Sequence, residues 1–136
     1  MDEPVLQTSD DLMALQEIIY KTKPEVIIEL GICWGGSILF YEHMSKVVAI
    51  KKIIGVDIYI PKDLEKRIYK KVDKKRVTLI RGLTTEKKVV DQIKKLTKKY
   101  KNFLIHLDSD HTAKNVLNEL NVYSKFINKN NYIIVG

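Results

Sequence analysis

Two carboxylates and two imidazoles crowd into the segment His106-Leu107-Asp108-Ser109-Asp110-His111. Carboxylates at this density can hold a hard divalent cation, and a nearby histidine can take a proton as a general base. Asp108 and His111 are the residues this chemistry points to. Asp110 competes with that role as the N-cap of a helix beginning near Thr112, and His106 alternates to the face opposite Leu107, which puts it under a helix as a satisfied buried histidine. A second segment, Glu29-Leu30-Gly31-Ile32-Cys33-Trp34-Gly35-Gly36-Ser37, combines a strand end, a glycine-rich turn and a helix start. Such a turn lets a ligand approach the backbone, and the helix start offers unpaired N–H groups to a carboxylate or phosphate. It is neither a P-loop nor a GxGxxG turn, because the glycines stand at 31, 35 and 36 with no Gly-Lys-Ser/Thr after them. Asp57 follows at a strand tip, where an acid can accept from both hydroxyls of a ribose or simply serve a turn. Gly82-Leu83-Thr84-Thr85 offers hydroxyls that can cap a helix, touch a purine edge, or both.

Each of these segments follows a short β-branched run, and those runs alternate with longer amphipathic stretches. Strands are predicted at Val26–Leu30, Ile53–Asp57, Val77–Ile80, Phe103–Asp108 and Tyr132–Val135. Helices are predicted at 37–50, 62–75, 86–100 and 112–126, after a leading helix over 10–22 capped by Ser9 or Asp10. The alternation implies right-handed βαβ crossovers and an α/β, Rossmann-like doubly wound parallel sheet, covered on both faces. In such a sheet ligands bind beyond the carboxyl ends of the strands, so all four segments converge on one crevice.

At 136 residues the chain has the length of one domain, read as an N-terminal helical segment, 1–23, and a βαβ core, 24–136. The acidic start MDEPVLQTSD is unlike a secretory signal, no long apolar run suggests a membrane span, and the lone Cys33 suits a reducing cytoplasm. The net charge of +7 is concentrated: residues 61–101 hold sixteen of the 24 Lys/Arg against five acids. That stretch lacks interleaved aromatics and reads as two helices with solvated lysine faces rather than a nucleic-acid surface.

With these motifs the chain resembles class I S-adenosylmethionine-dependent methyltransferases from about Pro24 to Gly136. It is most similar to the cephalosporin hydroxylase family, which has that fold despite its name, and to the O-methyltransferases related to catechol and caffeoyl-CoA enzymes. The family pattern ELGxxxGxS falls on Glu29, Gly31, Gly35 and Ser37. The resemblance implies that Ser37 and loop residues such as Ile32 hold the methionine end of the cofactor. Asp57 and its neighbour Ile58 would take the ribose, and Gly82, Thr84 and Thr85 the adenine. It also implies that Asp108 binds a divalent metal, Mg2+, while His111 stands where catechol-type enzymes carry a lysine base. The family's two further metal ligands, an acidic pair or Asp-Asn, and its sixth and seventh strands come after the fifth strand, so the sheet is expected in order 3-2-1-4-5 without the last strands, and the core reads either as C-terminally truncated or as a natural minimal version. The expected activity is O-methylation of a small-molecule or saccharide hydroxyl, with homo-oligomerisation through the fifth-strand edge. A non-catalytic cofactor-binding module, an NAD-binding oxidoreductase and a nucleic-acid methyltransferase are the alternatives.

Overall fold

The computed structural model describes residues 3–5 and 7–136; Met1, Asp2 and Leu6, part of the expected 1–23 segment, lie outside the described residues. Its elements run α1 (Ser9–Thr22), β1 (Val26–Leu30), α2 (Gly36–Met44), β2 (Lys52–Asp57), α3 (Lys62–Lys71), β3 (Val77–Arg81), α4 (Lys87–Thr97), β4 (Phe103–Leu107), α5 (Ala113–Tyr123), a 3-10 turn (Ser124–Phe126) and β5 (Tyr132–Val135). The five strands form one parallel sheet in the order β3-β2-β1-β4-β5, as the sequence predicts. Buried β1 and β4 sit at its centre, and alternate residues feed two cores. Ile27, Ile53 and Leu104 pack with residues of α1, α2 and α3, whereas Ile28, Ile54 and Ile105 pack with those of α4 and α5.

The lysine-rich helices behave as their periodicity requires. Leu64 and Ile68 of α3, and Val89, Val90 and Ile93 of α4, turn inward, while Lys62, Lys66, Lys87, Lys88, Lys94 and Lys95 stand in solvent. Several helix ends differ from expectation. Helix α1 is capped by Thr8, whose Oγ1 accepts from the Asp11 N–H at 3.2 Å, not by Ser9 or Asp10. Helix α2 stops at Met44 rather than 50, because the chain must leave the helix to bury Val48 and Ile50 in the core. The α3 stretch ends at Lys71, where Val72 turns extended, and α4 ends at Thr97. Asp110 does not cap α5. Thr112 does, accepting from the Asn115 N–H at 3.3 Å, while Asp110 closes a tight turn by accepting from the Thr112 N–H at 3.0 Å. The fourth strand ends one residue early at Leu107, leaving Asp108 in the loop.

Two close backbone approaches shape the carboxyl end of the sheet. Gly31 has φ +92°, and a Cβ there would lie 2.3 Å from the Asp108 carbonyl oxygen. Gly36 is overlain by the N-terminal segment, since a Cβ there would lie 2.2 Å from the Pro4 carbonyl oxygen. That segment is tied down by Glu3, which is buried and accepts from Arg67 Nε at 2.9 Å and Lys71 Nζ at 3.3 Å.

Gly31→Ala should destabilise the chain by at least about 2 kcal/mol, combining left-handed strain with a backbone clash; urea unfolding measures this. The Arg67 hydrogen bond holds the Glu3 carboxyl below its ordinary value of 4.5 against the opposing effect of burial. Stability from this contact is therefore complete above pH 4.5 and is lost as pH falls through the depressed folded value. Melting temperature followed across that acid range should fall in the wild type and fall less steeply in Glu3→Gln.

Candidate functional site

Two clefts open at the carboxyl end of the sheet, and Asp108 lines both. The first, about 710 Å³, runs from the glycine-rich turn across the tips of β2 and β3 to the start of α5. Gly31, Asp57, Ile58, Gly82, Thr84 and Asp108, all expected cofactor-binding positions, line it together with Asp110 and Trp34. Asp57 is held firmly at its floor: Oδ2 accepts from the N–H groups of Ile32 at 2.9 Å and Cys33 at 3.2 Å, and Oδ1 accepts from Tyr59 N–H at 3.3 Å. These bonds join the first two strand-end loops. They leave lone-pair capacity on Oδ1 toward the cleft.

The other expected positions lie behind this wall. Glu29 is 1% exposed; its Oε2 accepts from Ser37 Oγ at 2.5 Å and its Oε1 from the Tyr41 hydroxyl at 3.2 Å. Ser37 is itself buried, Gly35 supports the α2 start with φ +78°, and Ile32 contributes its backbone to Asp57 while its side chain enters the core. Thr85 does not line the cleft. The loop N–H groups that sequence leaves open for an anion are thus already engaged at Ile32 and Cys33.

The opposite wall depends on a residue that no sequence motif marks. Glu119 of α5 is 1% exposed, and its Oε1 accepts from Thr84 Oγ1 at 2.6 Å and from Ser109 Oγ at 2.5 Å. One buried oxygen thereby clamps the loops after β3 and β4. Asn115 adds bonds to Ser109 Oγ at 3.1 Å and the Asp110 carbonyl at 2.9 Å, and the Tyr123 hydroxyl donates to the Thr84 carbonyl at 2.5 Å. Burial, reinforced by the Glu119 charge, pushes the Tyr123 phenol far above its ordinary value, so it remains a donor. Asn115, Glu119 and Tyr123 recur at i, i+4 and i+8, one helix face turned to the sheet, and that spacing is the signal by which sequence could find them. Tyr59, Leu83 and Ser109 also line the cleft, although the motifs assign them no role.

Beyond Asp108 lies a buried polar cluster under α2. His106, 4% exposed as expected, brings Nδ1 to 3.0 Å from the Tyr41 hydroxyl and 3.4 Å from Glu29 Oε1. Burial works to lower the His106 pKa, but hydrogen bonding to Glu29 and the charges of Glu29, Asp108 and Asp11 outweigh it and leave the imidazole above its ordinary value. Glu29, His106 and Asp108 offer ligand atoms within 4.8 Å of one another. As a magnesium site this set is incomplete, because both Glu29 oxygens already accept hydroxyl protons and an imidazole nitrogen is a poor ligand for a hard cation. Of these three, Asp108 is the one whose carboxylate lines the clefts, with His111 Nε2 3.6 Å from its Oδ1. His111 is well exposed and lines neither of the two clefts.

A parallel sheet in this order, with an acid at the tip of β2 and a glycine turn after β1, defines a Rossmann-like doubly wound α/β fold with its ligand crevice at the strand ends. The profile of the Rhamnosyl O-methyltransferase/CmcI family matches residues 1–136, and the chain belongs to that family. It is 32% identical over 133 residues to a rhamnosyl O-methyltransferase of Mycobacterium leprae (strain TN), covering 96% of this chain and 56% of that protein. The rhamnosyl O-methyltransferase of Mycobacterium tuberculosis (strain ATCC 25618 / H37Rv) is 29% identical over 128 residues, covering 92% of this chain and 50% of that protein. The chain thus spans about half the length of the curated relatives it matches. Among solved structures it is similar to CmcI with SAH, at TM-score 0.65 and 18% identity over 96% of this chain and 61% of the other. It is also similar to the MycE methyltransferase from the mycinamycin biosynthetic pathway in complex with Mg and SAH, at TM-score 0.65 and 15% identity over 90% and 30% of the two chains. Among the described residues no helix is long and apolar enough to cross a membrane.

Removing the Glu119 side chain leaves Thr84 and Ser109 without their shared acceptor. Glu119→Ala should cost about 1–3 kcal/mol in urea unfolding, and Glu119→Gln, which retains an acceptor oxygen, should cost less.

Proposed function

We propose that residues 1–136 form the cofactor-binding unit of an S-adenosylmethionine-dependent O-methyltransferase whose acceptor is a saccharide hydroxyl, working in the cytoplasm. The observation that carries this reading is the first cleft: an acid at its floor, a clamped threonine loop at one end and Asp108 at the other. Family membership over the whole chain and the rhamnosyl O-methyltransferase relatives support it.

In this reading Asp57 Oδ1 accepts from the ribose hydroxyls, while its Oδ2 keeps the β1–α2 loop in place. Gly82, Leu83 and Thr84 cover the adenine from a loop that Glu119 holds rigid. Gly31 lets the chain pass against Asp108, which brings the methionine end of the cofactor close to the acceptor side. S-adenosylmethionine, when bound, supplies an electrophilic methyl group on a positively charged sulfur. The protein's share is largely positioning, since methyl transfer to oxygen needs its reacting atoms in line. Asp108 holds the acceptor hydroxyl and takes up its proton, and His111, which lines neither cleft, acts through Asp108, with Nε2 3.6 Å from its Oδ1. Magnesium, if used, would find one ligand here in Asp108, and would lower the cost of ionising that hydroxyl.

The exposed free thiol of Cys33 accords with a reducing compartment. The exposed Tyr132 and Val135 on the β5 edge suit contact with a second copy. No lysine of α3 or α4 lines the first cleft, which favours a small acceptor over nucleic acid.

Titration calorimetry with S-adenosylhomocysteine, run beside NAD, tests the reading. S-adenosylhomocysteine alone should bind, and Asp57→Ala should weaken that binding by about 1–3 kcal/mol with an unchanged circular dichroism spectrum. Equal affinity in the variant would remove Asp57 from the site, and binding of NAD instead would replace the methyltransferase reading by an oxidoreductase one.

A further inference from the structure

An open groove of about 790 Å³ runs between the solvent side of α1 and the end of α2, and it shares no lining residue with the first cleft. Met13, Tyr20, Phe40, Met44 and Val47 make its lining apolar. Of these, Met13, Tyr20 and Val47 are 70%, 60% and 69% exposed, so the apolar surface faces water. Apart from Leu117, the other exposed large apolar side chains line the first cleft or lie on β5. The groove is therefore a separate apolar cluster, which neither cofactor binding nor the β5 edge accounts for. Exposed clusters of this kind mark contact surfaces, and methionine and tyrosine are among the residues that interfaces concentrate.

The pattern along α1 indicates what covers it. Met13 and Tyr20 stand seven residues apart on one solvent stripe, with Gln16 and Glu17 between them. A second α1 laid antiparallel, with the two-fold axis passing between Gln16 and Glu17, sets each Met13 against the partner's Tyr20. The charges follow the same symmetry: Asp10 and Asp11 stand in the first turn and Lys21 in the last, with Lys23 just beyond. Antiparallel pairing lays the acidic turn of each copy on the basic end of the other and opposes the two helix dipoles. Parallel pairing would set acid on acid. At the axis, Glu17 is already paired with Lys21 of its own chain at 2.8 Å, which lets the two glutamates approach.

We propose that this face of α1 and α2 is a homodimer contact whose occupant is a second copy of the same chain. Tyr20 of each copy lies across the partner's Met13 and over the groove that Phe40, Met44 and Val47 line. Asp10 pairs with the partner's Lys21 at both rims. The same residues supply both sides, so the contact is isologous and closes at two copies. It uses a different surface from the β5 edge and does not depend on what the clefts bind.

Sedimentation equilibrium of the chain across the micromolar range is the test. Wild type should be a dimer, and Tyr20→Glu and Met13→Glu should each weaken dimerisation by about tenfold or more with an unchanged circular dichroism spectrum. Both residues lie outside the two cores, so the variants keep the fold. Asp10→Lys and Lys21→Glu should each weaken self-association, and a mixture of these two variants should associate again, because each then meets opposite charge at both rims. A wild type that stays monomeric across the range overturns the contact. So does a dimer that survives both Tyr20→Glu and Met13→Glu; if Val135→Lys dissociates that dimer, the copies meet at β5 instead. Charge variants that remain apart when mixed overturn the antiparallel arrangement. Failure of S-adenosylhomocysteine to bind would overturn the cofactor reading and leave this contact standing.

Discussion

A carboxylate in the middle of a parallel sheet is costly unless its oxygens are satisfied, and Glu29 stands at such a place, in the central strand and 1% exposed. Its partners come from two other elements: Ser37 and Tyr41 from α2, and His106 from β4. Meeting that requirement sets how α2 leaves the glycine turn and which way the imidazole faces. Burial, aided by the Glu29 charge, keeps the Tyr41 hydroxyl protonated, so the cluster holds its donors. Disturbing one member leaves buried polar groups unpaired, so the cluster acts as a unit.

The clefts follow from that arrangement. With α2 anchored below, the β1–α2 loop can reach Asp57 through its N–H groups, and Gly31 can lie against the Asp108 backbone. On the far side Glu119 performs the same service for the loops after β3 and β4. Two buried glutamates, one on each face of the sheet, therefore hold the walls of a cleft whose lining is mostly loop. Loops carry ligand contacts well when a rigid scaffold fixes them, and here the scaffold reaches them through carboxylates.

Much of this architecture is legible in the residue pattern. The β-branched runs locate all five strands, because a parallel strand buried on both faces must be apolar throughout. The strand-end rule gathers Gly31, Asp57, Gly82, Thr84 and Asp108 into one cleft. Helix ends are less legible, since they depend on tertiary burial: α2 ends where Val48 and Ile50 are drawn into the core, and nothing local to 37–50 announces it.

The sequence by itself determined the sheet, its crossovers and the set of strand-end residues, since these follow from apolar periodicity and chain connectivity. Tertiary structure decided which of those residues line the cleft. Glu29 and Ser37 read as cofactor contacts but spend their polar atoms on each other, and Glu119, unremarkable in sequence, clamps a wall. The reason is physical: a hydrogen bond joins residues distant in the chain, and its partner is chosen by three-dimensional proximity that no spacing rule encodes.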